Sequence, residues 1–397
     1  MMSAAGALVA SLRPRVALLQ AVPLLRTAPD PEWQARPELI RSIPRMLELA
    51  DVPGLAVGIV ERGEAWKAGF GLATPRPPSA VSDQTVFEAV SLGKPLFAYA
   101  VLRLAERGTL DLDRPLYDYV PLPEADNPRM RRVTAAHVLS HTTGLPNWRD
   151  QPGPLVPTTE PGRVFSYSGE AFYYLQRVLE AKTGQPFARM MREQVLVPLG
   201  MTDSSYVWLP AFRGRKAAGR DENGNEADVY QTLGQKAEQL AEQWGKPVLD
   251  WRYEDAARAV PFLNPQWPVM PLYMIPSAAG SLLTTVSDYT RFVQRLVAVP
   301  GAPGLALSKK IRQRMMTPHV RLNRVLSWGL GWGIQRDEQG EVLWHWGAND
   351  SFRNFVIADV AGARAVVVFT NGEAGPKVYE RIITAVTGHD QPAFLWI

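Results

Sequence analysis

The sequence predicts an α/β (α+β) protein, in which an antiparallel sheet flanked by helices is built from both chain ends and a helical lobe is inserted between them. Strand patterns occur before residue 75 and again after residue 328, whereas helical patterns predominate in between. The 397 residues and the hydrophobic content of 46% allow one large core or two packed lobes. We expect a cleft between the lobes, where ligands commonly bind.

The first predicted elements are a helix and a hairpin. Apolar residues recur near helical spacing from 38 to 50, although Pro44 should kink or shorten a helix there. Residues 55–60 and 65–71 are typical of two strands joined by a turn.

A longer helix is predicted from residue 92 to Gly108. Because Pro95 has no N–H, it fits the first turn of this helix, which places Ser91 near the helix N-terminus. Shorter helical patterns follow at 134–140 and 170–182.

The last part of the chain changes from helical to strand patterns. A helix is predicted at 286–297 and a final one near 378–386, with strands between them at 328–335, 342–346, 352–358 and 365–370. We therefore predict an N-terminal extension (1–34), an α/β lobe (35–80 and 280–397) and a helical lobe (81–279). The helical lobe includes a Trp-containing insertion near 206–275, which we expect over the cleft.

Composition excludes several classes of function. The chain has no cysteine, so nucleophilic chemistry must use oxygen or nitrogen. The 43 basic and 39 acidic residues are interleaved, which does not indicate nucleic-acid binding. Arg13 and Arg15 interrupt the run that a secretory signal needs, and no segment reaches membrane-spanning length. The sequence predicts a soluble protein without a membrane span, favours the cytoplasm, and leaves export and the oligomeric state open.

Ser91 and Lys94 form a candidate nucleophile and base. At the start of a helix, residues three apart share a face, so the amine can reach the hydroxyl. A lysine can take the serine proton if burial depresses its pKa. An isolated Ser-x-x-Lys occurs about once by chance in a chain of this size, and the alternative is a capping serine beside an exposed lysine.

Further motifs follow this pair in order. The segments are Ser91-Leu92-Gly93-Lys94, Thr134-Ala135-Ala136-His137-Val138-Leu139-Ser140-His141-Thr142-Thr143-Gly144-Leu145-Pro146, Pro161-Gly162-Arg163-Val164-Phe165-Ser166-Tyr167-Ser168-Gly169, Pro198-Leu199-Gly200-Met201 and Trp344-His345-Trp346-Gly347. Together they resemble the class C-like branch of the serine β-lactamase and penicillin-binding-protein superfamily. That branch includes D-Ala-D-Ala peptidases, class C β-lactamases and family VIII carboxylesterases. The resemblance spans roughly residues 35 to 390 and implies a β-lactamase/transpeptidase-like fold.

The resemblance implies catalytic roles for Ser91, Lys94 and Tyr167. Tyr167 begins the segment that matches the family's Tyr-x-Asn motif and would carry the proton between Ser91 and the leaving group. Since a free tyrosine has a pKa of about 10, this role requires Lys94 to stabilise the phenolate or to share its proton. The alternative for Tyr167 is a half-buried structural aromatic.

The family's third motif falls on His345, Trp346 and Gly347 in its His-x-Gly form. Gly347 would let substrate approach the strand, and the N–H of Ala348 would join that of Ser91 as an oxyanion donor. His345 would contact the substrate or orient Tyr167. Without the resemblance, a lone histidine between two tryptophans is more often a satisfied core residue.

Two departures from the family pattern bear on the substrate. Gly169 stands where the family usually has Asn, which removes an amide, and His345 stands where β-lactamases have Lys. An ester is easier to acylate than an amide, so we predict a carboxylesterase that acts on a small ester, with a lactam or amide as the other substrate classes. The alternatives are a β-lactamase or D-Ala-D-Ala-type peptidase, and a non-catalytic binding protein on the same fold.

Aromatic and histidine residues offer further candidates. Trp148 and Trp346 are predicted pocket residues, although tryptophan also fills large cores, and the same applies to Trp208, Trp244, Trp251 and Trp267. His137 and His141 have zinc-pair spacing but lack the adjacent Glu of metalloproteases, so a structural role is favoured. No metal or other cofactor is predicted.

Overall fold

The computed structural model describes residues 36–149, 153–227, 229–263, 265, 275–299 and 301–397. The predicted extension (1–34) and Trp267 lie outside these residues. The strands are β1 (Gly54–Glu61), β2 (Glu64–Pro75), β3 (Pro78–Ala80), β4 (Val86–Val90), β5 (Leu282–Thr285), β6 (Val320–Arg321), β7 (Leu326–Trp328), β8 (Gly333–Asp337), β9 (Gly340–Ala348), β10 (Arg353–Asp359) and β11 (Arg364–Thr370).

The α-helices of the described residues begin with α1 at the N-terminal side of the sheet and end with α10 after its last strand. They are α1 (Pro37–Ala50), α2 (Gly93–Glu106), α3 (Ala135–Leu139), α4 (Gly169–Thr183), α5 (Phe187–Met191), α6 (Val229–Trp244), α7 (Tyr253–Leu263), α8 (Val286–Leu296), α9 (Lys309–Met316) and α10 (Pro376–Thr387). None of the helices in the described ranges is both long and apolar enough to cross a bilayer.

A large antiparallel sheet joins the two ends of the described chain. Its strand order is β3-β2-β1-β11-β10-β9-β8-β7-β6, and β4 and β5 form a separate pair. The junction lies between β1 and β11, where Leu55 stands opposite Thr370. β1 is buried along nearly its whole length because helices cover both faces of the sheet. The predicted fold class is confirmed.

Two packed cores cover the faces of this sheet. One contains α1 and α10, which contact each other and contribute buried residues such as Leu47 and Ile383. The larger one contains α2, α4 and α8 together with the opposite face of the sheet. α8 contacts β1 and β11 directly. The lobe boundaries between 80 and 81 and between 279 and 280 stay a prediction.

Three local expectations differ from the structure. α1 runs unshortened through Pro44, because Ile43 and Leu47 on its inner face are buried and hold the helix in place. The strand predicted at 328–335 is two strands, β7 and β8, since Gly331 turns the chain with a φ of 84°. The Trp-containing insertion near 206–275, for which no individual helix was predicted, contains α6 and α7.

Candidate active site

The Ser91 turn connects β4 to α2. Val90, directly before it, has a φ of 51°, which is unusual for a β-branched residue and indicates a constrained turn. The N–H of Leu92 closes the turn by donating to the Ala89 carbonyl at 3.1 Å. Ser91 is half-buried whereas the residues around it are buried, so it keeps some exposure to solvent within this turn.

Lys94 lies in the first turn of α2 and points back at Ser91. Its Nζ is 3.0 Å from Ser91 Oγ and donates to the Ala279 carbonyl at 2.5 Å. The side chain is buried, and no carboxylate among the described residues pairs with it. Burial therefore lowers the pKa of Lys94 to about 7, because the charged amine has lost its water.

The carbonyl that receives Lys94 is held by α4. Gln176, buried on this helix, accepts from the N–H of Ala278 at 2.8 Å and donates to the Pro276 carbonyl at 3.1 Å. Ala279 thus has a fixed position opposite Lys94. Sequence analysis missed it, since a backbone carbonyl leaves no signal in the residue type.

Tyr167 lies directly before α4, whose N-cap is Ser168. The Lys94 Nζ is 4.8 Å from the centre of the Tyr167 ring. The phenol oxygen is buried, and the Ser91 hydroxyl is the neighbouring group that interacts with it. Burial raises the pKa of Tyr167, and the neighbouring Ser91 hydroxyl opposes that rise only in part. The structure thus brings Ser91, Lys94 and Tyr167 together.

His141 stacks behind Tyr167 and was not predicted in the site. The two ring centres are 4.2 Å apart, and the His141 Nδ1 accepts from the N–H of Ser168 at 3.1 Å. Burial and the nearby Lys94 lower its pKa well below the usual range, so the ring is neutral. Its partner in sequence spacing, His137, instead completes a capping box with Thr134 at the start of α3.

His345 lies on β9 and is fully buried. Its Nδ1 is 2.7 Å from the Trp346 carbonyl, which can only accept, so Nδ1 carries the proton. The Nε2 is then an acceptor and has no partner among the described residues. Burial and Lys94 lower the pKa of His345 to about 3, so the motif position holds a neutral ring.

Gly347 lets β9 lie against the Ser91 turn. A Cβ at this position would be 2.2 Å from the Ala89 carbonyl oxygen and 3.2 Å from the Leu92 nitrogen. Glycine is therefore required at position 347 by packing, because any side chain would overlap the Ala89 carbonyl. Access for substrate along this strand stays a prediction. Ala348 is the next residue and ends β9, and its role as an oxyanion donor stays a prediction.

The predicted pocket tryptophans divide into two groups. Trp346 is half-buried with its ring centre 5.0 Å from that of Tyr167, and the half-buried Trp148 lies against Gly169. Trp208 and Trp251 are buried in hydrophobic cores, and Trp244 packs on Trp251 at 5.2 Å. Trp148 and Trp346 are thus the two placed beside Tyr167 and its helix.

A buried ion pair supports the same region and was also missed. Lys216 Nζ is 3.1 Å from a carboxylate oxygen of Glu88 on β4, and both side chains are 1% exposed. Asn349, which follows Ala348, donates to the other Glu88 oxygen at 2.8 Å. The carbonyl oxygen of the Asn349 side chain accepts from the N–H groups of Ser351 and Phe352. These contacts connect the strand before Ser91 to the turn after Ala348.

Comparisons with known proteins agree with these motifs. The family described as Beta-lactamase matches residues 40–389. Penicillin-binding protein 4 of Amycolatopsis lactamdurans is 28% identical over 201 residues, which cover 47% of this chain and 51% of the relative. Esterase EstB of Burkholderia gladioli is 33% identical over 186 residues, which cover 38% and 47%. The chain spans about half the length of the curated relatives it matches.

The fold also matches solved structures. The D-alanine carboxypeptidase AmpC from Burkholderia cenocepacia superposes with a TM-score of 0.68 at 20% identity, over 89% of this chain and 99% of that one. At this identity the likeness concerns the fold alone, whereas the family match covers most of the sequence. This chain belongs to the Beta-lactamase family, whose members are serine hydrolases.

Proposed function

We propose that this protein is a carboxylesterase that acts through an acyl-enzyme on Ser91. The observation that carries this proposal is the contact of 3.0 Å between Lys94 Nζ and Ser91 Oγ. It occurs at a buried amine that no described carboxylate neutralises. A lysine in this setting gives up its proton near neutral pH and can therefore act as a base.

In the acylation step, the proton of the Ser91 hydroxyl passes to neutral Lys94 as Oγ bonds to the ester carbon. The carbonyl oxygen becomes an oxyanion, for which we propose the N–H groups of Ser91 and Ala348 as donors. The packing of Gly347 on Ala89 and Leu92 supports this pair, because it keeps β9 beside the turn.

Tyr167 enters as a neutral phenol. Because burial raises its pKa, a phenolate is unfavourable, and we propose that the hydroxyl donates to the leaving alcohol. The C–O bond to the alcohol breaks, the alkoxide takes the phenol proton, and the protonated Lys94 returns a proton to Tyr167. Lys94 is then neutral again, and the acyl group remains on Ser91.

Deacylation uses the same groups in reverse. Water attacks the acyl carbon while its proton passes through Tyr167 to Lys94, and the oxyanion forms between the same two N–H groups. The bond to Ser91 Oγ then breaks, and Oγ recovers its proton from Lys94. The products are a carboxylic acid and the restored serine.

The ester preference rests on two neutral positions. His345 carries no charge, so it offers an acceptor where a cation would attract a substrate carboxylate. Gly169 offers no amide to a substrate that needs one. We propose His345 as a positioning residue whose free Nε2 accepts a hydrogen bond from the Tyr167 hydroxyl or from the substrate alcohol.

Turnover of a lactam or a peptide is the second candidate. The observation in its favour is the similarity to penicillin-binding protein 4 of Amycolatopsis lactamdurans. The similarity to esterase EstB instead supports the ester proposal. A non-catalytic binding protein is the candidate of another class, and the placement of Ser91, Lys94 and Tyr167 argues against it.

The test compares p-nitrophenyl acetate with a chromogenic cephalosporin for the unaltered protein, Ser91→Ala and Ser308→Ala. Ser308 is an exposed serine before α9, so its variant controls for the loss of a hydroxyl at a helix start. We expect ester turnover that only Ser91→Ala abolishes, with little cephalosporin turnover. Faster cephalosporin turnover would assign a β-lactamase, and no Ser91-dependent turnover would assign a binding protein.

A further inference from the structure

Position 169 has no side chain because another residue occupies the space. A Cβ built on Gly169 would lie 2.3 to 2.9 Å from three ring atoms of Trp148, well inside van der Waals contact. The indole of Trp148 therefore stands where a side chain at position 169 would begin. The two residues fit each other, and a side chain at position 169 requires a smaller residue than tryptophan at position 148.

The loop that carries Trp148 is fixed to the start of α4. The N–H groups of Gly169 and Glu170 both donate to the Asn147 carbonyl, at 3.1 and 3.0 Å. The Asn147 side chain accepts a further bond from Gly169, and Arg149 Nε donates to the buried Glu170 carboxylate at 3.1 Å. These bonds leave the indole little freedom to move away from Gly169.

The alternation of side chains along this segment places the indole on the same side as Tyr167. Ser168 is extended, with φ −140° and ψ 115°, so the residues on either side of it point to the same side of the chain. Tyr167 points towards Lys94, and a side chain at position 169 would do the same. Trp148 thus covers with an apolar surface the place beside Tyr167 from which a polar side chain would reach the substrate.

We propose that Trp148 is a specificity-determining residue that, together with Gly169, makes one wall of the cleft apolar and selects esters with apolar groups. This inference rests on the proposed esterase function and deepens it. An apolar group that packs on the indole gains binding from the removal of apolar surface from water, whereas an amide there loses its bonds to water without replacement. Neutral, hydrophobic esters are the expected substrate class.

The packing part of the proposal is tested without any substrate. Thermal unfolding is measured for Gly169→Ala, Trp148→Ala, the double variant, and Gly169→Ala combined with Trp244→Ala. Trp244 is a half-buried tryptophan that packs on Trp251 and Arg258, away from Gly169. We expect Gly169→Ala to lower the Tm, Trp148→Ala to raise it again in that background, and Trp244→Ala to give no recovery. A Gly169→Ala variant as stable as the unaltered protein would overturn the proposal.

The specificity part uses two ester series, p-nitrophenyl esters of increasing acyl length and butyrate esters of increasing alcohol size. We expect kcat/KM of the unaltered protein to rise with apolar size in at least one series, and Trp148→Ala to reduce that rise about tenfold. The Trp244→Ala variant keeps the preference.

If Ser91-dependent turnover is present and Trp148→Ala leaves the size preference unchanged, the inference fails while the esterase function stands. If no ester is turned over but the Tm pattern holds, the esterase function fails while the packing of the pair stands. The two failures are therefore distinguishable.

Discussion

Two buried lysines near the Ser91 turn have opposite surroundings. Lys216 faces the Glu88 carboxylate at 3.1 Å, and that carboxylate also receives Asn349. Lys94 contacts the Ser91 hydroxyl, the Ala279 carbonyl and the face of the Tyr167 ring, and no carboxylate among the described residues pairs with it. The amine of Lys216 is thus paired with a negative charge, whereas the amine of Lys94 contacts neutral oxygens.

The difference shows how the same residue type serves two purposes in one site. A paired buried charge fixes geometry, here the strand before Ser91 and the turn after Ala348. An unpaired buried amine keeps a lowered pKa, which is what a general base requires. The fold thus fixes the frame at Lys216, whereas at Lys94 it leaves a buried amine with the lowered pKa that the proposed base requires.

The largest expected effect concerns the Lys94 region. Lys94→Arg retains a positive charge but cannot release a proton at neutral pH, so the base is lost. We expect kcat for p-nitrophenyl acetate to fall about 10³-fold. Steady-state kinetics check this value, and circular dichroism checks that the variant is folded. A variant with more than a tenth of the original kcat would show that Lys94 is not the base.

The Lys216 region should respond in stability. Lys216→Met leaves the Glu88 carboxylate buried beside Asn349 without its cation, which should cost about 3 kcal/mol of unfolding free energy. Urea unfolding measures this loss. Adding Glu88→Gln removes the stranded charge and should recover part of it. Equal stability of Lys216→Met and the unaltered protein would contradict the structural role of the pair.

Tyr167→Phe should separate chemistry from packing. We expect kcat to fall about 10²-fold with KM little changed, because the proposed role of the hydroxyl is proton transfer in acylation and deacylation and not substrate binding. The unfolding free energy should change by no more than about 1 kcal/mol, since the phenol oxygen loses at most its interaction with the Ser91 hydroxyl. A loss of stability without a loss of kcat would make Tyr167 a structural aromatic.

The smallest effect is a pH dependence of stability in the Lys94 region. Because burial lowers the pKa of Lys94 from 10.5 to about 7, the unfolded chain holds a proton that the folded protein lacks within this window. Stability from this group therefore rises with pH from about 7 to 10.5. Relative to Lys94→Met, the unaltered protein should gain on the order of 2 kcal/mol between pH 7 and 9 in urea unfolding. A constant difference would contradict the pKa shift.

Sequence reasoning worked where the signal is local. The strand and helix periods gave the fold class, and the spacing of Ser91 and Lys94 predicted their contact. Even local signals failed where packing decided: α1 continues through Pro44 because its buried face holds it, and Gly331 divides a strand that periodicity alone would join.

Partners far apart in sequence could not be predicted. The Ala279 carbonyl and the Lys216–Glu88 pair meet their partners only through the fold, and a single sequence does not show which segments approach. His141 was interpreted through its spacing to His137, yet α3 ends at Leu139 and the backbone turns His141 towards Tyr167 with a φ of 53°. Gly169 was noticed as a missing amide, whereas its contact with Trp148 required the structure.

The pH dependence of kcat/KM for p-nitrophenyl acetate tests the central claim most directly. The base must be neutral to act, and burial lowers the pKa of Lys94 to about 7, so we predict activity that rises with pH and levels off above an apparent pKa near 7. His345 should not contribute to this rise, because its pKa of about 3 lies below the range. A Ser91-dependent rate that is constant from pH 5.5 to 9, or that falls as pH rises, would contradict Lys94 as the base that activates Ser91.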